Sequence, residues 1–336
     1  MRETLRKYRR AIRQGKVNPL VHWDGQTSGP LLDSTSADVP LCLLDFACYR
    51  LEDGPFTIKT REREFAFVPV NGQFEVRVGS EVYQGRREGG PFANLPGQSN
   101  ASAVYVPADA DVQLSGHGEM VCFSAPAAGH KPPAFVQAGE RPNVPRGTGL
   151  WLREVVTLFT PEDVSTVLVG GETYSPPGLW SGTPLHVHDL DAIEQGQSDH
   201  EEIYYHLARV TQGEWGPFGV QMLFDSDGLD QAYVIHDHDA FAIPGGAHPV
   251  IAGPNSDMLY IWTLAGPGSK LAMLDVPEFA YLKKVGGILD RVTAERPRAA
   301  LSADEFQRMV QEFDLHAHEA HVLRMHLKQQ GVNIQD

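Results

Sequence analysis

The chain has 336 residues, of which 42% are hydrophobic, and this is enough to furnish the cores of two ordinary domains. Its formal net charge of −15 argues against a general nucleic-acid binder, because phosphate contacts need a basic surface, and against docking to anionic membranes. Cys42, Cys48 and Cys122 are an odd number without C-x-x-C spacing, so neither a disulfide framework nor a zinc ribbon is indicated, and buried free thiols are expected.

The chain opens with a basic segment, MRETLRKYRRAIRQG, that lacks the apolar centre of a secretion signal. The segment predicts a solvated short helix ending at Gly15, and residues 1–22 are expected to form an amino-terminal arm. A mitochondrial address is the alternative. No later apolar run has the length of a bilayer span, so we expect a cytoplasmic protein with reduced thiols.

Short strands are predicted from about Leu41 to Ala125, where apolar and polar residues alternate and β-branched and aromatic residues are frequent. Asn71-Gly72 gives the strongest hairpin signal. The Pro-, Gly- and Ala-rich stretch from Pro126 to Gly149 is predicted to be a linker. Residues 23–149 are therefore expected to form a first β-barrel with its linker, and His117 alone in its strands leaves it without a metal site.

A second strand series runs from Leu150 to Leu274, and in both series short strands end at proline turns. This shared cadence predicts two similar barrels packed together, the second formed by residues 150–280. Residues 281–336 change to a helical period, with Ser302 and Glu305 as a capping box. The fold class expected is all-β, with two barrels and a carboxy-terminal helical tail.

The part of the chain from Thr183 to Pro249 carries the chemistry. Three segments supply metal-binding residue types in order: TPLHVHD, HEEIYYH and PGGAHPV. His186 and His188 are two residues apart, so on a strand both rings leave the same face. A closed barrel can bring these two together with Glu202 and His248, and three neutral imidazoles with one carboxylate suit a divalent ion. Open coordination positions would remain for a substrate.

Other histidines are the alternative, because a bare H-x-H is weak evidence for a metal. His236 and His238 fall in a turn flanked by acidic residues and are predicted to be exposed. In the tail, His316 and His318 are two apart on a helix and face different directions, whereas His318 and His321 could form a helical ligand pair.

Several longer stretches extend this pattern, and they resemble one family. REVVTLFTPEDVSTVLVGGETYSPPGLWSGTPLHVHD, HEEIYYH, PFGVQMLFDSDGLDQAY, AIPGGAHPV and LYIWTLAGP are similar to the 5-deoxy-glucuronate isomerase family of inositol catabolism. That family is related to the 4-deoxy-L-threo-5-hexosulose-uronate ketol-isomerases of pectin breakdown. The resemblance covers about Leu41 to Phe279 and implies a bicupin, two β-barrel or jelly-roll domains, to which the helical tail is an addition.

The resemblance also implies roles for individual residues. Family motifs place the metal ligands at His186, His188, Glu202 and His248. Glu202 is preferred to Glu201 because the related isomerases place their ligand in a Glu, aliphatic, Tyr run, which Glu202, Ile203 and Tyr204 match. If Glu202 points inward, alternation sends Tyr204 and His206 inward as well and leaves Glu201 as a solvated charge. Gln221 and Tyr260 match barrel positions that could hold a sugar hydroxyl, although ordinary polar groups of a barrel interior would look the same.

The chain departs from the family pattern at several polar positions. Met222 and Phe224 stand where the family carries Arg and Tyr, and Trp262 stands where it tends to carry Asn. Gly245 and Ala247 replace the Arg and Tyr of a Pro-Arg-Gly-Tyr-His turn. An arginine that could pair with a uronate carboxylate is therefore missing at the expected positions, which bears on the substrate more than on the chemistry.

The function expected is a metal-dependent aldose–ketose isomerisation of a sugar acid through a metal-stabilised enediolate. One divalent ion, zinc, manganese or iron, would be the cofactor, and Glu202, Tyr204 or His206 would move the proton. Alternatives are a metal-dependent lyase, epimerase or dioxygenase acting on a less acidic sugar or glycoside, and a non-catalytic sugar-binding cupin. The partner expected is a small carbohydrate, with neither nucleic acid nor membrane, and self-association into a homo-oligomer stays open.

Overall fold

A computed structural model describes residues 2–210, 214–268, 270–295, 300–329 and 331–335. Ten strands build the first barrel: β2 Gly29–Leu32, β3 Asp45–Arg50, β4 Phe56–Lys59, β5 Arg63–Pro69, β6 Gly72–Val78, β7 Glu81–Arg87, β8 Ala103–Val106, β9 Asp111–His117, β10 Glu119–Pro126 and β11 Ala134–Val136. A six-stranded sheet, β11-β8-β5-β10-β3-β2, faces a four-stranded sheet, β4-β9-β6-β7. Apolar side chains such as Phe67, Phe74 and Leu114 fill the space between them.

The second barrel repeats this plan with the strand that precedes the first barrel and with those that follow it. These strands are β1 Leu20–His22, β12 Val144–Arg146, β13 Arg153–Phe159, β14 Val169–Ser175, β15 Trp180–Ser181, β16 His186–Val187, β17 Asp189–Ala192, β18 Gln197–Asp199, β19 Glu201–Val210, β20 Gly219–Phe224, β21 Asp230–Ile235, β22 Asp239–Ile243, β23 Val250–Ala252, β24 Ser256–Ala265 and β25 Leu274–Asp275. A seven-stranded sheet, β1-β22-β19-β24-β14-β13-β12, packs with the four-stranded sheet β15-β23-β20-β21, while β16 pairs with β25 and β17 with β18.

The predicted linker is part of both sheets rather than a free connection. Within it, β11 pairs with β8 of the first barrel and β12 pairs with β13 of the second. Its prolines and glycines suggested a loop, but three-residue edge strands tolerate both residue types.

The central strand β19 shows how alternation positions the site. Tyr204 belongs to the core inside the second barrel, whereas Tyr205 belongs to the core between the two barrels. The Tyr205 ring lies 5.2 Å from that of Phe46 in the first barrel, measured between ring centroids. Since side chains alternate along a strand, Glu202 shares the inward face with Tyr204.

Glu201 points out of its barrel as predicted, but the expectation of a solvated charge is wrong. The side chain is fully buried, and its carboxylate accepts hydrogen bonds of 2.6–2.8 Å from the backbone N–H groups of residues 42–44 in the first barrel. Burial raises its pKa to about 7, although the three hydrogen bonds act to lower it. The outward face of β19 meets a second barrel instead of water, and this explains the error.

A buried glutamate of the first barrel makes the equivalent contact with the second barrel. Glu64 on β5 is also fully buried, and its carboxylate accepts hydrogen bonds of 2.7–2.8 Å from the backbone N–H groups of residues 166–168 in the second barrel. An ion pair completes the interface, because the guanidinium of Arg87 donates to both carboxylate oxygens of Glu172 at 2.6 and 2.8 Å. The barrels therefore share one polar and apolar interface.

Helices lie at both ends of the chain. The first, α1 Arg2–Arg13, buries Leu5, Arg9 and Ile12 against the rest of the protein, so the expectation of a solvated helix is wrong on this face. At the other end α2 Tyr281–Glu295, α3 Ala303–Glu312 and α4 Ala317–Gln329 form a helical unit, to which the parallel pair β26 Ala300–Ser302 and β27 Asn333–Gln335 belongs.

The helical unit has its own core, and Trp151 contributes to it from the start of the second barrel. The predicted capping box is present, with Ser302 and Glu305 exchanging side-chain and backbone hydrogen bonds at the start of α3.

The all-β fold of two barrels with a carboxy-terminal helical extension is thus confirmed. None of the described helices has the length and apolar character needed to cross a membrane.

Candidate metal centre

Separate elements of the second barrel bring the predicted ligands toward its interior. His186 lies on β16, His188 directly follows it, and Glu202 is the second residue of β19. His248 stands between the Pro244–Ala247 turn and β23. These elements are remote in the sequence, and closure of the barrel is what brings them together.

Three of the four side chains converge on one point. Donor atoms of His188, Glu202 and His248 all lie within 4.8 Å of one another. One carboxylate oxygen of Glu202 lies 3.2 Å from Nε2 of His188 and 3.1 Å from Nε2 of His248. All three residues are buried.

The ring orientations fit a metal. Nδ1 of His188 lies 3.0 Å from the carbonyl oxygen of His200, and Nδ1 of His248 lies 2.7 Å from that of Gly246. His186 repeats the arrangement, with Nδ1 3.2 Å from the carbonyl oxygen of Pro184. A carbonyl accepts only from an N–H, so each proton is fixed on Nδ1 and each Nε2 keeps a lone pair. Metal-binding histidines are usually oriented by such outer hydrogen bonds.

His186 lies further from the centre than the other three. Its ring centroid is 5.5 Å from that of His248 and 6.3 Å from that of His188. Burial lowers its pKa to about 3, which keeps the imidazole neutral and able to donate its lone pair. His186, the fourth proposed ligand, therefore lies at the edge of the group and is neutral, as a metal ligand must be.

The carboxylate of the group is ionised. Burial acts to raise the pKa of Glu202, but the adjacent imidazoles of His188 and His248 outweigh it and lower the pKa to about 2. Three imidazole nitrogen donors and one carboxylate oxygen donor would suit zinc, manganese or iron alike.

A cavity of about 510 Å³ opens beside these residues. His186, Glu202, Tyr204 and Tyr260 line it together with Trp262. The rings of Tyr204 and Tyr260 lie 4.4 Å apart, and the Tyr260 hydroxyl is hydrogen-bonded to that of Ser181. Tyr204 and Tyr260 therefore both stand on the cavity wall, and their predicted roles toward a substrate stay predictions.

Gln221 and His206 lie elsewhere. Gln221 is fully buried and does not line the cavity; its Nε2 donates to the carbonyl oxygen of His248 at 2.9 Å. This favours a role in positioning His248 over the sugar contact that the sequence predicted. His206 is likewise buried outside the cavity lining, so its geometry argues against the predicted part in proton transfer.

The remaining histidines form no second group of three metal ligands in the part of the chain that the structure describes. His236 is exposed, as predicted. His238 is not, because its side chain is only 24% exposed and its Nε2 lies 3.5 Å from Glu119 of the first barrel. His316 and His321 are exposed, and the side chain of His318 lies outside the described part.

An arginine that sequence analysis missed supports the ligand segments. Arg9 of α1 forms ion pairs with Asp189 at 3.2 Å and Asp225 at 3.0 Å and donates to the carbonyl oxygen of Pro244 at 2.9 Å. A Cβ atom at Gly245 would lie 2.5 Å from Nη1 of Arg9. Arg9 therefore occupies the space beside the turn at Gly245, where the resemblance led us to expect an arginine.

Arg9 also links two ligands. Asp189 directly follows His188, and one of its carboxylate oxygens accepts a 2.9 Å hydrogen bond from the backbone N–H of Gly246, two residues before His248. The signal in the sequence was the absence of arginine at Gly245, but nothing local indicated that a residue about 235 positions away would replace it.

Replacing Arg9 with leucine is expected to weaken metal affinity by about 10- to 100-fold, the range typical of residues that orient metal ligands. The neighbouring variant Arg10→Leu is the matched control, since the Arg10 side chain is 58% exposed. Metal titration monitored by calorimetry measures the metal affinity of both variants. Equal affinities in the two variants would show that Arg9 does not support the ligands.

Comparisons with known proteins agree with this architecture. The KduI/IolB family model matches residues 20–282. The 5-deoxy-glucuronate isomerase of Geobacillus kaustophilus HTA426 is 30% identical over 228 residues, which is 66% of this chain and 79% of the relative. A solved IolB-like protein of Salmonella typhimurium LT2 has a TM-score of 0.70 at 26% identity and covers 79% of this chain and 99% of its own.

The oxalate decarboxylase of Bacillus subtilis, which has Mn(II) centres, has a TM-score of 0.53 at 11% identity, with 91% of this chain and 86% of that chain covered. At this identity the likeness concerns the fold, and with the IolB-like protein it confirms the predicted bicupin. The matched family region includes every predicted ligand, while most of α1 to α4 lies outside it. The chain belongs to the KduI/IolB family.

Proposed function

We propose that the chain is a metal-dependent ketol-isomerase that acts on a sugar acid of the 5-deoxy-glucuronate type. It shares its family with curated isomerases and is therefore an enzyme of the isomerase class. The observation that carries the metal dependence is the group of His188, Glu202 and His248, with both imidazole Nε2 atoms directed at one carboxylate oxygen beside a cavity.

Interconversion of an aldose and a ketose requires removal of a proton from the carbon next to a carbonyl group. A bound divalent ion would supply a Lewis acid that stabilises the negative charge of the resulting enediolate. His186, His188, Glu202 and His248 are the residues proposed to hold it.

Residues on the cavity wall can serve the proton transfer. Glu202 is ionised and lines the cavity, so a carboxylate oxygen can accept the proton from one carbon and return it to the next. Burial, with the charge of Glu202, raises the pKa of Tyr204 far above its usual value, so its neutral phenol can donate a hydrogen bond to a substrate oxygen. We therefore assign the base to Glu202 and an assisting role to Tyr204.

The experiment is an NMR assay in D₂O with purified metal-loaded protein and 5-deoxy-glucuronate. We expect formation of the corresponding ketose, with deuterium incorporated at the carbon that receives the proton. Metal-stripped protein is the control and should be inactive until the ion is restored. Absence of both product and exchange, with metal bound, would refute the proposed isomerisation.

A second candidate is another metal-dependent cupin enzyme that acts on a less acidic sugar or glycoside. It is favoured by the apolar part of the cavity wall, which includes Trp262, Leu264 and Met273. A dioxygenase of this kind would consume oxygen, whereas the isomerase would not. An oxygen electrode, run with iron-loaded protein and a panel of glycosides, separates the two.

A further inference from the structure

A guanidinium faces the same cavity as the candidate metal ligands. Arg153 on β13 lines the cavity and is half-buried. Its Nη1 donates to the backbone carbonyl oxygens of Thr183 at 2.9 Å and Trp151 at 3.2 Å. These bonds fix the plane of the guanidinium, and Thr183 begins the segment that leads to His186.

The charge of Arg153 has no carboxylate partner among the residues that the structure describes. Burial lowers its pKa, and the groups that affect it electrostatically are the phenols of Tyr260 and Tyr204 and the like charge of Arg146. Arginine remains charged under such conditions. A partly buried cation without an anion is unfavourable, and a ligand carboxylate would remove that cost.

The donor geometry fits such a ligand. In the described ranges, no protein acceptor takes a hydrogen bond from Nε or Nη2 of Arg153, since both its bonds come from Nη1. Nε and Nη2 form one edge of the guanidinium, and that edge matches the two oxygens of a carboxylate.

Other cations near the cavity are less suited. Lys283 of α2 also lines it, but its ammonium lies 2.5 Å from a carboxylate oxygen of Asp275. Arg146 is exposed at the cavity edge. Arg9 already pairs with Asp189 and Asp225. Among the described cations named here, Arg153 is thus the one that combines burial, a place on the cavity wall and an unused pair of donors.

We propose that Arg153 binds the carboxylate of the sugar acid and so determines the specificity of the site for acidic substrates. The assignment rests on the proposed function. The carboxylate end of the sugar would then lie against β13, with its carbonyl end at Glu202.

The test uses a ligand pair that cannot react. Borohydride reduction of 5-deoxy-glucuronate removes its carbonyl group, and the amide of the reduced acid removes the charge as well. Calorimetry measures binding of both compounds to the metal-loaded wild type and to Arg153→Gln, Arg153→Lys and Arg209→Gln. Arg209 is the matched control because it is a half-exposed arginine that pairs with Asp257 outside the cavity.

The wild type and Arg209→Gln are expected to prefer the acid to the amide. In Arg153→Gln, affinity for the acid should fall by about 10- to 100-fold, the range for hydrogen bonds to a charged group, while affinity for the amide stays unchanged. Arg153→Lys should retain part of the preference, and it replaces the glutamine variant in the comparison if that variant fails to fold. Elemental analysis should find the same metal content in all proteins.

Three outcomes would overturn the assignment. The wild type could bind acid and amide equally, or both Arg153 variants could keep the wild-type preference for the acid. In the third outcome the Arg153 variants lose affinity for acid and amide to the same extent, which would indicate a structural role. Failure of the proposed function is distinguishable, because the NMR assay would then show no isomerisation of 5-deoxy-glucuronate while the Arg153-dependent preference in calorimetry persisted.

Discussion

Replacing His248 or His188 with alanine is expected to abolish metal retention and turnover together. Each substitution removes one of the two Nε2 donors that lie about 3 Å from the buried Glu202 carboxylate. The loss in metal affinity should exceed the roughly 100-fold effect at the upper end for outer-shell residues. Elemental analysis and the isomerase assay, run on the same preparations, measure the two effects.

His236→Ala is the control, since this exposed histidine lies on the second barrel outside the metal group. It should keep both metal and activity. A His248→Ala protein that carries no metal and still turns over substrate at the wild-type rate would eliminate the proposed mechanism.

Replacing Arg87 with methionine is expected to lower the free energy of unfolding by about 3–5 kcal/mol, the cost of leaving one member of a buried ion pair without its partner. Arg87 and Glu172 are at most 2% exposed, and their bidentate contact joins the two barrels. Denaturant unfolding monitored by circular dichroism measures the change.

The chain offers a close control in the adjacent residue. Arg86 pairs with Glu88 at 2.9 Å, but both side chains are more than 60% exposed, so Arg86→Met should change stability by at most about 1 kcal/mol. The double variant Arg87→Met, Glu172→Met should recover much of the loss, because it buries no unpaired charge. Equal effects of Arg86→Met and Arg87→Met would show that the inter-barrel pair is not important for stability.

Much of the fold could be predicted because its signals are local. Period-two alternation and turn residues identify short strands, and repetition of the pattern predicts two barrels. What alternation cannot tell is what covers the outer face of a strand. The sequence therefore correctly predicted that Glu201 points out of its barrel and wrongly predicted that it is solvated. The residues of the first barrel that bury it lie more than 150 positions away in the sequence.

The residues of the candidate site likewise include some that the sequence predicted and some that it did not. His188, Glu202 and His248 carry the residue types that metals require, so their convergence could be anticipated from motifs. Arg9 and Arg153 could not be found in this way, because an arginine in a sequence is usually a surface residue. A signal did exist for Arg153: it shares with Val155 and Thr157 the strand face that lines the cavity.

The most direct test of the central claim is a crystal structure of the metal-loaded protein with anomalous scattering measured at the absorption edge of the metal found by elemental analysis. We expect one peak in the second barrel, about 2.0–2.2 Å from Nε2 of His186, His188 and His248 and from a carboxylate oxygen of Glu202. A bound ion that none of these side chains contacts, or a metal-saturated protein with no peak in this barrel, would contradict the account.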